Sequence, residues 1–343
     1  MAPTAALTDW LLDSDPAVRW QVERDLVGAP EAVWRATRSR IATEGFGARL
    51  LALQDPDGQW AGGAFFPSRD LPTATKSETE SATSSAVSDE YPTPTDNQGQ
   101  PWTATTPTLS LLRQWGTDPA ALGDTAQRLA VNSRWEYDDL PYWGGEVDCC
   151  INADTLSNGV WLGADIADLA QWFPDHQMAD GGWNCEWVEG STRSSFHSTI
   201  NALRGMLDYE MATGGSEELR DSRHAGEAYL LERRLLRRRS TGDLIGPWVA
   251  DLAYPFRWAY STLVALEYFR QAAAHDAVPP DARLSGAVNA LRADRQDDGT
   301  WMQEHRHPGQ VWFEVDVPVG EPSKWLTLYG TRVLNWWDEQ APS

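Results

Sequence analysis

A chain of 343 residues is long enough for one large domain or two ordinary ones, and an apolar fraction of 41% supplies a substantial core. Its formal net charge of −22 sets it against nucleic acid and anionic lipid, both of which present phosphates that demand Lys and Arg. No apolar run reaches the roughly 18 residues of a membrane-spanning helix, and Met1-Ala2-Pro3-Thr4 lacks the basic-then-apolar layout of a secretion signal. The expectation is a cytoplasmic protein without a transmembrane segment, in which Cys149, Cys150 and Cys185 are free thiols or metal ligands.

Two short helices are predicted within 5–28, with Asp15-Pro16 as cap and first turn and Val18, Trp20, Val22 and Leu26 on one apolar side. The stretch 48–53 closes an outer helix that ends at Gln54-Asp55-Pro56-Asp57-Gly58-Gln59-Trp60. In this turn Gly58 suits a positive φ and Asp57 can accept bonds from nearby amides. From 69 to 99 Ser, Thr, Pro, Asp and Glu dominate, too polar to offset ordering entropy by burial; a disordered insertion, or a lid over a pocket, is predicted. Helices follow around 108–112 and over 119–131, then Tyr142-Trp143-Gly144-Gly145 stands in place of a turn ahead of a helix over 150–162.

After an outer helix at 165–172 the turn returns as Gln177-Met178-Ala179-Asp180-Gly181-Gly182-Trp183, followed by the helical run 196–210. Helices are predicted over 225–237 and 258–269. The last pair, 282–293 and 324–337, flanks a third copy, Arg295-Gln296-Asp297-Asp298-Gly299-Thr300-Trp301. Three copies make a repeat, and a repeat needs its neighbours to bury its apolar face. Roughly five helix pairs result, with 1–30 as an N-terminal helical extension. Two charged clusters stand out. Arg233, Arg234, Arg237, Arg238 and Arg239 form a solvated helix face or an anion site. Glu304-His305-Arg306-His307, with Glu314 and Asp316, sits in the long aromatic and acidic loop 302–322. Its His pair can be metal ligands or an acid–base pair over a cavity mouth, or part of a solvated loop.

Gln54 to Trp60 and Gln177 to Trp183 resemble the QW motifs of squalene and hopene cyclases, and the paired helices are similar to the α/α toroid shared by triterpene cyclases and protein prenyltransferase β subunits. The resemblance runs from about residue 10 to 338 and implies an all-α, single-domain α/α toroid whose inner helices line a central cavity for a hydrophobic, isoprenoid-like small molecule. In that family the motif staples helices together and says little about reaction.

Two chemistries follow from the resemblance. The cyclases protonate an alkene from an Asp-x-Asp-Asp string, which is absent here; Glu136-Tyr137-Asp138-Asp139 is the nearest variant. Asp138, Asp139, Glu314, Asp316 and His307 are therefore the acid–base candidates. The prenyltransferases hold zinc with Asp-x-Cys and a His at the starts of inner helices. Asp148-Cys149-Cys150 and His197 resemble that order, with Cys185 close by, so Asp148, Cys150, Cys185 and His197 are the metal candidates. Against zinc stands simple burial of the cysteines as small hydrophobes. The alternative to an enzyme is a toroid that binds a lipid or a partner protein without catalysis. The oligomeric state is open.

Overall fold

The computed structural model describes residues 4–68 and 100–340, so the segment expected as an insertion or lid, 69–99, lies outside the described residues. The chain is all-α. The helices are α1 (Ala5–Leu12), α2 (Pro16–Asp25), α3 (Glu31–Ser39), α4 (Gly45–Leu51), α5 (Thr105–Trp115), α6 (Thr125–Asn132) and α7 (Cys149–Leu162). They continue as α8 (Ala167–Asp175), α9 (Phe196–Thr213), α10 (Glu217–Glu232), α11 (Thr262–Asp276), α12 (Ser285–Ala293) and α13 (Lys324–Gln340). Among the described residues the only sheet pairs β1 (Trp301–Met302) with β2 (Pro322–Ser323), closing the neck of the loop between them. No helix among the described residues is long and apolar enough to cross a membrane.

Local chemistry explains several helix starts. Asp15 caps α2 by accepting from the Ala17 amide at 2.9 Å, and Pro16 occupies the first turn, where a missing N–H costs nothing. The same carboxylate accepts from the Phe46 amide at 2.8 Å, fastening α2 to α4. The helix expected over 225–237 instead starts at Glu217, where Ser216 Oγ accepts from the Leu219 amide at 3.0 Å. It stops at Glu232 because Arg234 and Leu235 take left-handed backbone conformations. The arginines at 237–239 consequently lie beyond the helix, exposed, with Arg237 and Arg238 bonded to backbone carbonyls.

The three Asp-Gly-x-Trp turns are built alike. The indoles of Trp60, Trp183 and Trp301 each donate to a carbonyl 10 residues back, on Leu50, Phe173 and Leu291, at 2.8, 2.9 and 3.0 Å. Their backbone amides donate to Thr105, Thr199 and Thr327 hydroxyls, each at 3.1 Å, near the start of the following helix. Each Trp therefore joins the end of one helix to the start of the next, and all three are 0–1% exposed. Gln54 and Gln177 brace the turn glycine's carbonyl and reach the next outer helix, at Thr125 Oγ1 (2.8 Å) and Ser222 O (2.7 Å). In the third copy Arg295 takes that place, bonding Gly299 O at 3.2 Å and lying over Trp301.

Gly181 has φ +96°, and a Cβ there would sit 2.9 Å from Ala225 O in α10, so only glycine suits both the turn and the close approach. In the equivalent places Gly58 lies against α6 and Gly299 against Leu7 of α1. Helices α2, α5, α7, α9, α11 and α13 are the most completely buried. Packing runs from α5 to α7, α7 to α9, α9 to α11, α11 to α13, and α13 to α2. The Trp20 indole of α2 donates to Trp115 O at the end of α5 at 2.7 Å. The first 30 residues, expected as an extension, thus pack into the same core.

Candidate functional site

The starts of α7 and α9 meet at a cavity of about 390 Å³ that has Asp148, Cys150, Cys185 and His197 in its wall, together with aromatic faces from Phe65, Trp135 and Trp258. Asp148 precedes α7 without capping it, which leaves its carboxylate available to the Cys185 thiol. The Cys150 and Cys185 sulfurs lie 3.4 Å apart, well beyond the roughly 2.05 Å of a disulfide, and both are free thiols. Ser198 ties them in: its hydroxyl donates to Cys185 Sγ at 3.3 Å and accepts from the Cys185 amide at 3.1 Å. Asn201 Nδ2 approaches Cys150 Sγ at 3.6 Å. The thiol–thiol hydrogen bond draws Cys185 below its ordinary value and, with burial, pushes Cys150 well above. Cys149 is fully buried and behaves as a small hydrophobe.

His197 stands between Trp248 and Trp258, and its Nδ1 accepts the Tyr260 amide at 2.9 Å. Burial lowers its pKa to about 4. A neutral imidazole that accepts at Nδ1 carries its proton on Nε2. A metal-bound histidine has the reverse arrangement: one nitrogen's lone pair on the metal and the other N–H donated to a carbonyl or carboxylate. The four residues share a wall, and no three of them bring ligand atoms within 4.8 Å of one another. Among the described residues, the only three ligand atoms mutually within 4.8 Å belong to His224, Glu227 and Asp276. There the Arg223 guanidinium already supplies the positive charge, 2.7 Å from each carboxylate. Protein purified without chelator is expected to carry substoichiometric zinc, unchanged in Cys150→Ala, by elemental mass spectrometry. One zinc per chain, lost in that variant, would mean that His197 reorients.

The acid–base candidates fare unequally. Asp138 and Asp139 sit at the exposed tip of a turn closed by the Arg134–Pro141 bridge, both with φ +52°, and neither lines the thiol cavity. Their neighbours Glu136 and Tyr137 reach the cavity instead, the Glu136 carboxylate accepting from the Phe65 and Phe66 amides at 3.1 Å. Glu314 is exposed and ion-paired with Arg306. Asp316 accepts from Ser323 Oγ at 2.6 Å, and burial raises it to about 6. Both line a different cavity, against α1. His307 does approach: with His305 and His197 it borders a small adjoining cavity of about 130 Å³. Burial, and then His305, Arg257 and His197 around it, hold His307 at about 3.

One residue in the 390 Å³ cavity was not anticipated. Glu146 is 8% exposed, and its main chain is clamped by Asn152, which accepts from the Glu146 amide and donates to its carbonyl, both at 2.7 Å. Its Oε2 accepts from the Val147 amide at 2.7 Å, whereas Oε1 is buried with no hydrogen-bond partner. Burial, and then the Asp148 charge, raise this carboxyl to about 7. The signal in sequence was slight: a glutamate directly after Gly144-Gly145 and two residues before Asp148.

No model of a known protein family matches this chain, and no curated protein matches it.

Proposed function

We propose that the chain is a single α/α toroid that acts on an isoprenoid-like apolar molecule in the 390 Å³ cavity, with Glu146 as its acid. The ring is supported by the packing order α5, α7, α9, α11, α13, α2 and by the Trp20–Trp115 bond that leads back to α5. Gly299 supports it too, since the last turn seats on α1 as the earlier turns seat on their next outer helices.

The observation that carries the chemistry is the Glu146 carboxyl, unpartnered at Oε1 in an aromatic cavity, where burial raises its pKa to about 7 so that a large share of it keeps its proton near neutral pH. The cavity lies within the roughly 300–1,000 Å³ of small-molecule sites. A carboxylic acid kept neutral by apolar surroundings can protonate a substrate double bond, leaving a carboxylate and a carbocation. The faces of Trp135, Phe65 and Trp258 stabilise that cation. Return of a proton to Glu146 then closes a redox-neutral isomerisation or cyclisation. His197, held neutral with a proton on Nε2, offers a hydrogen-bond donor without adding positive charge.

The test is incubation with farnesyl, geranylgeranyl and squalene substrates, read by mass spectrometry, for wild type and Glu146→Gln. The variant is expected to retain the ligand and to turn over at least about a hundredfold more slowly. Tight retention without turnover in wild type would favour a non-catalytic lipid-binding toroid. Neither turnover nor retention would overturn the proposal.

A further inference from the structure

The far ends of α5 and α11 from the thiol cavity open on a second chamber of about 620 Å³, and its wall is strongly basic in a chain of net charge −22. Six arginines line it: Arg24, Arg38, Arg113, Arg204, Arg270 and Arg332. Only two carboxylates do, Asp208 and Glu267. Arg113 is bonded to Asp208 at 2.6 Å, while Arg270 and Arg332 share Glu267 at 2.8 and 2.6 Å. Outside the lining, Asp25 pairs with Arg24 and Arg332, and Asp154 lies 3.9 Å from Arg113.

Two guanidinium groups lack a close carboxylate, although Asp118 acts on Arg38 and Asp154 on Arg204 from beyond ion-pair distance. Arg38 donates to Gly116 O at 2.7 Å, and Arg204 has a 3.4 Å contact with Asn201 Oδ1; among the described residues neither has an acidic side chain within 4.0 Å. Arg24 and Arg38 crowd the same indole, with guanidinium carbons 4.5 and 5.3 Å from the Trp20 ring. Like charges gathered around a partly desolvated space repel, and that repulsion is relieved by an anion. Helix dipoles explain part of the arrangement, since Arg24, Arg38 and Arg113 stand in the last turns of α2, α3 and α5. They do not explain Arg204 and Arg332, which sit near the middles of α9 and α13, beyond the reach of a terminal dipole.

We propose that this chamber binds a multiply charged oxyanion, phosphate or carboxylate, gripped by the forks of Arg38 and Arg204 and bordered by the other four arginines. Arginine matches both oxyanions bidentately, and a chamber of about 620 Å³ has room for the organic part of a phosphorylated or polycarboxylic metabolite. The site is independent of Glu146 and of the thiols.

Isothermal titration calorimetry on the full chain at low ionic strength, with inorganic pyrophosphate and with citrate, tests this. One anion per chain is expected, with affinity falling as NaCl is added. Stronger binding of pyrophosphate assigns the site to phosphoryl ligands; stronger binding of citrate assigns it to carboxylates. The double variant Arg38→Gln/Arg204→Gln should weaken binding at least about tenfold, while Glu146→Gln leaves it unchanged. Thermal melting of the ligand-free variant separates lost binding from lost folding. Absence of binding by either anion up to about 10 mM, or a wild-type affinity indifferent to salt, or an undiminished affinity in the folded double variant, would overturn it.

Discussion

Arg223→Ala is expected to destabilise the fold by about 3–5 kcal/mol in urea unfolding. Arg223 is 0% exposed and joins three helices through three carboxylates. Its Nε and Nη2 meet Glu210 of α9 at 2.8 and 3.2 Å, Nη1 meets Glu227 of its own α10 at 2.7 Å, and Nη2 also meets Asp276 at the end of α11 at 2.7 Å. Glu210 is itself fully buried. Without the guanidinium, these acids face one another in a poorly solvated space, so they must take up protons or drive the helices apart. Arg223→Met, which restores bulk but no charge, should be nearly as damaging. The contrast is Arg239→Ala, whose partner Glu232 is solvent-exposed and whose loss should cost under about 1 kcal/mol. Equal, small effects from Arg223→Ala and Arg239→Ala would refute this account.

The scaffold was legible because its spacing carries it. A glycine at positive φ followed two residues later by a tryptophan fixes a turn that must sit between two helices, and three copies located three helix pairs. The first turns of α10 were not legible because Glu217, Glu218, Arg220 and Asp221 show no apolar period; their helix is specified by the Ser216 cap. The site was legible only where sequence position decides it. Asp148, Cys150 and His197 stand at helix starts and so share a wall, whereas Cys185 reaches it through the turn before α9. What the residues do there depends on distant groups. The proton on His197 is placed by the Tyr260 amide, 63 residues away, and no local pattern encodes that. Asp138 and Asp139 read as an acid motif, but their left-handed backbone turns them to solvent. Glu146 shows no periodicity, and Asn152, on the next helix, is what holds it in the cavity wall.

The same carboxyl gives the second large effect, a stability that depends on pH with a definite sign. Folded, Glu146 keeps its proton up to about pH 7; unfolded, it loses it near 4.5. Between those values the folded chain binds more protons than the unfolded chain, so the Glu146 contribution falls as pH rises. It is fully present below about 4.5 and gone above about 7, a loss on the order of 2 kcal/mol once partial solvent screening is allowed for. His197 acts in the opposite direction: its folded pKa of about 4 lies below the ordinary 6.5, so its contribution is lost as pH falls through that window. The wild-type profile is therefore a sum of opposed slopes, and Glu146→Gln removes one of them while keeping the side chain's shape. Relative to wild type, the variant should gain stability at pH 8 and gain little or lose some at pH 4.5, measured by urea unfolding across that range. A wild-type minus variant difference that is flat with pH would mean that Glu146 is ionised in the folded chain at neutral pH, and the acid assigned to the cavity would fall with it.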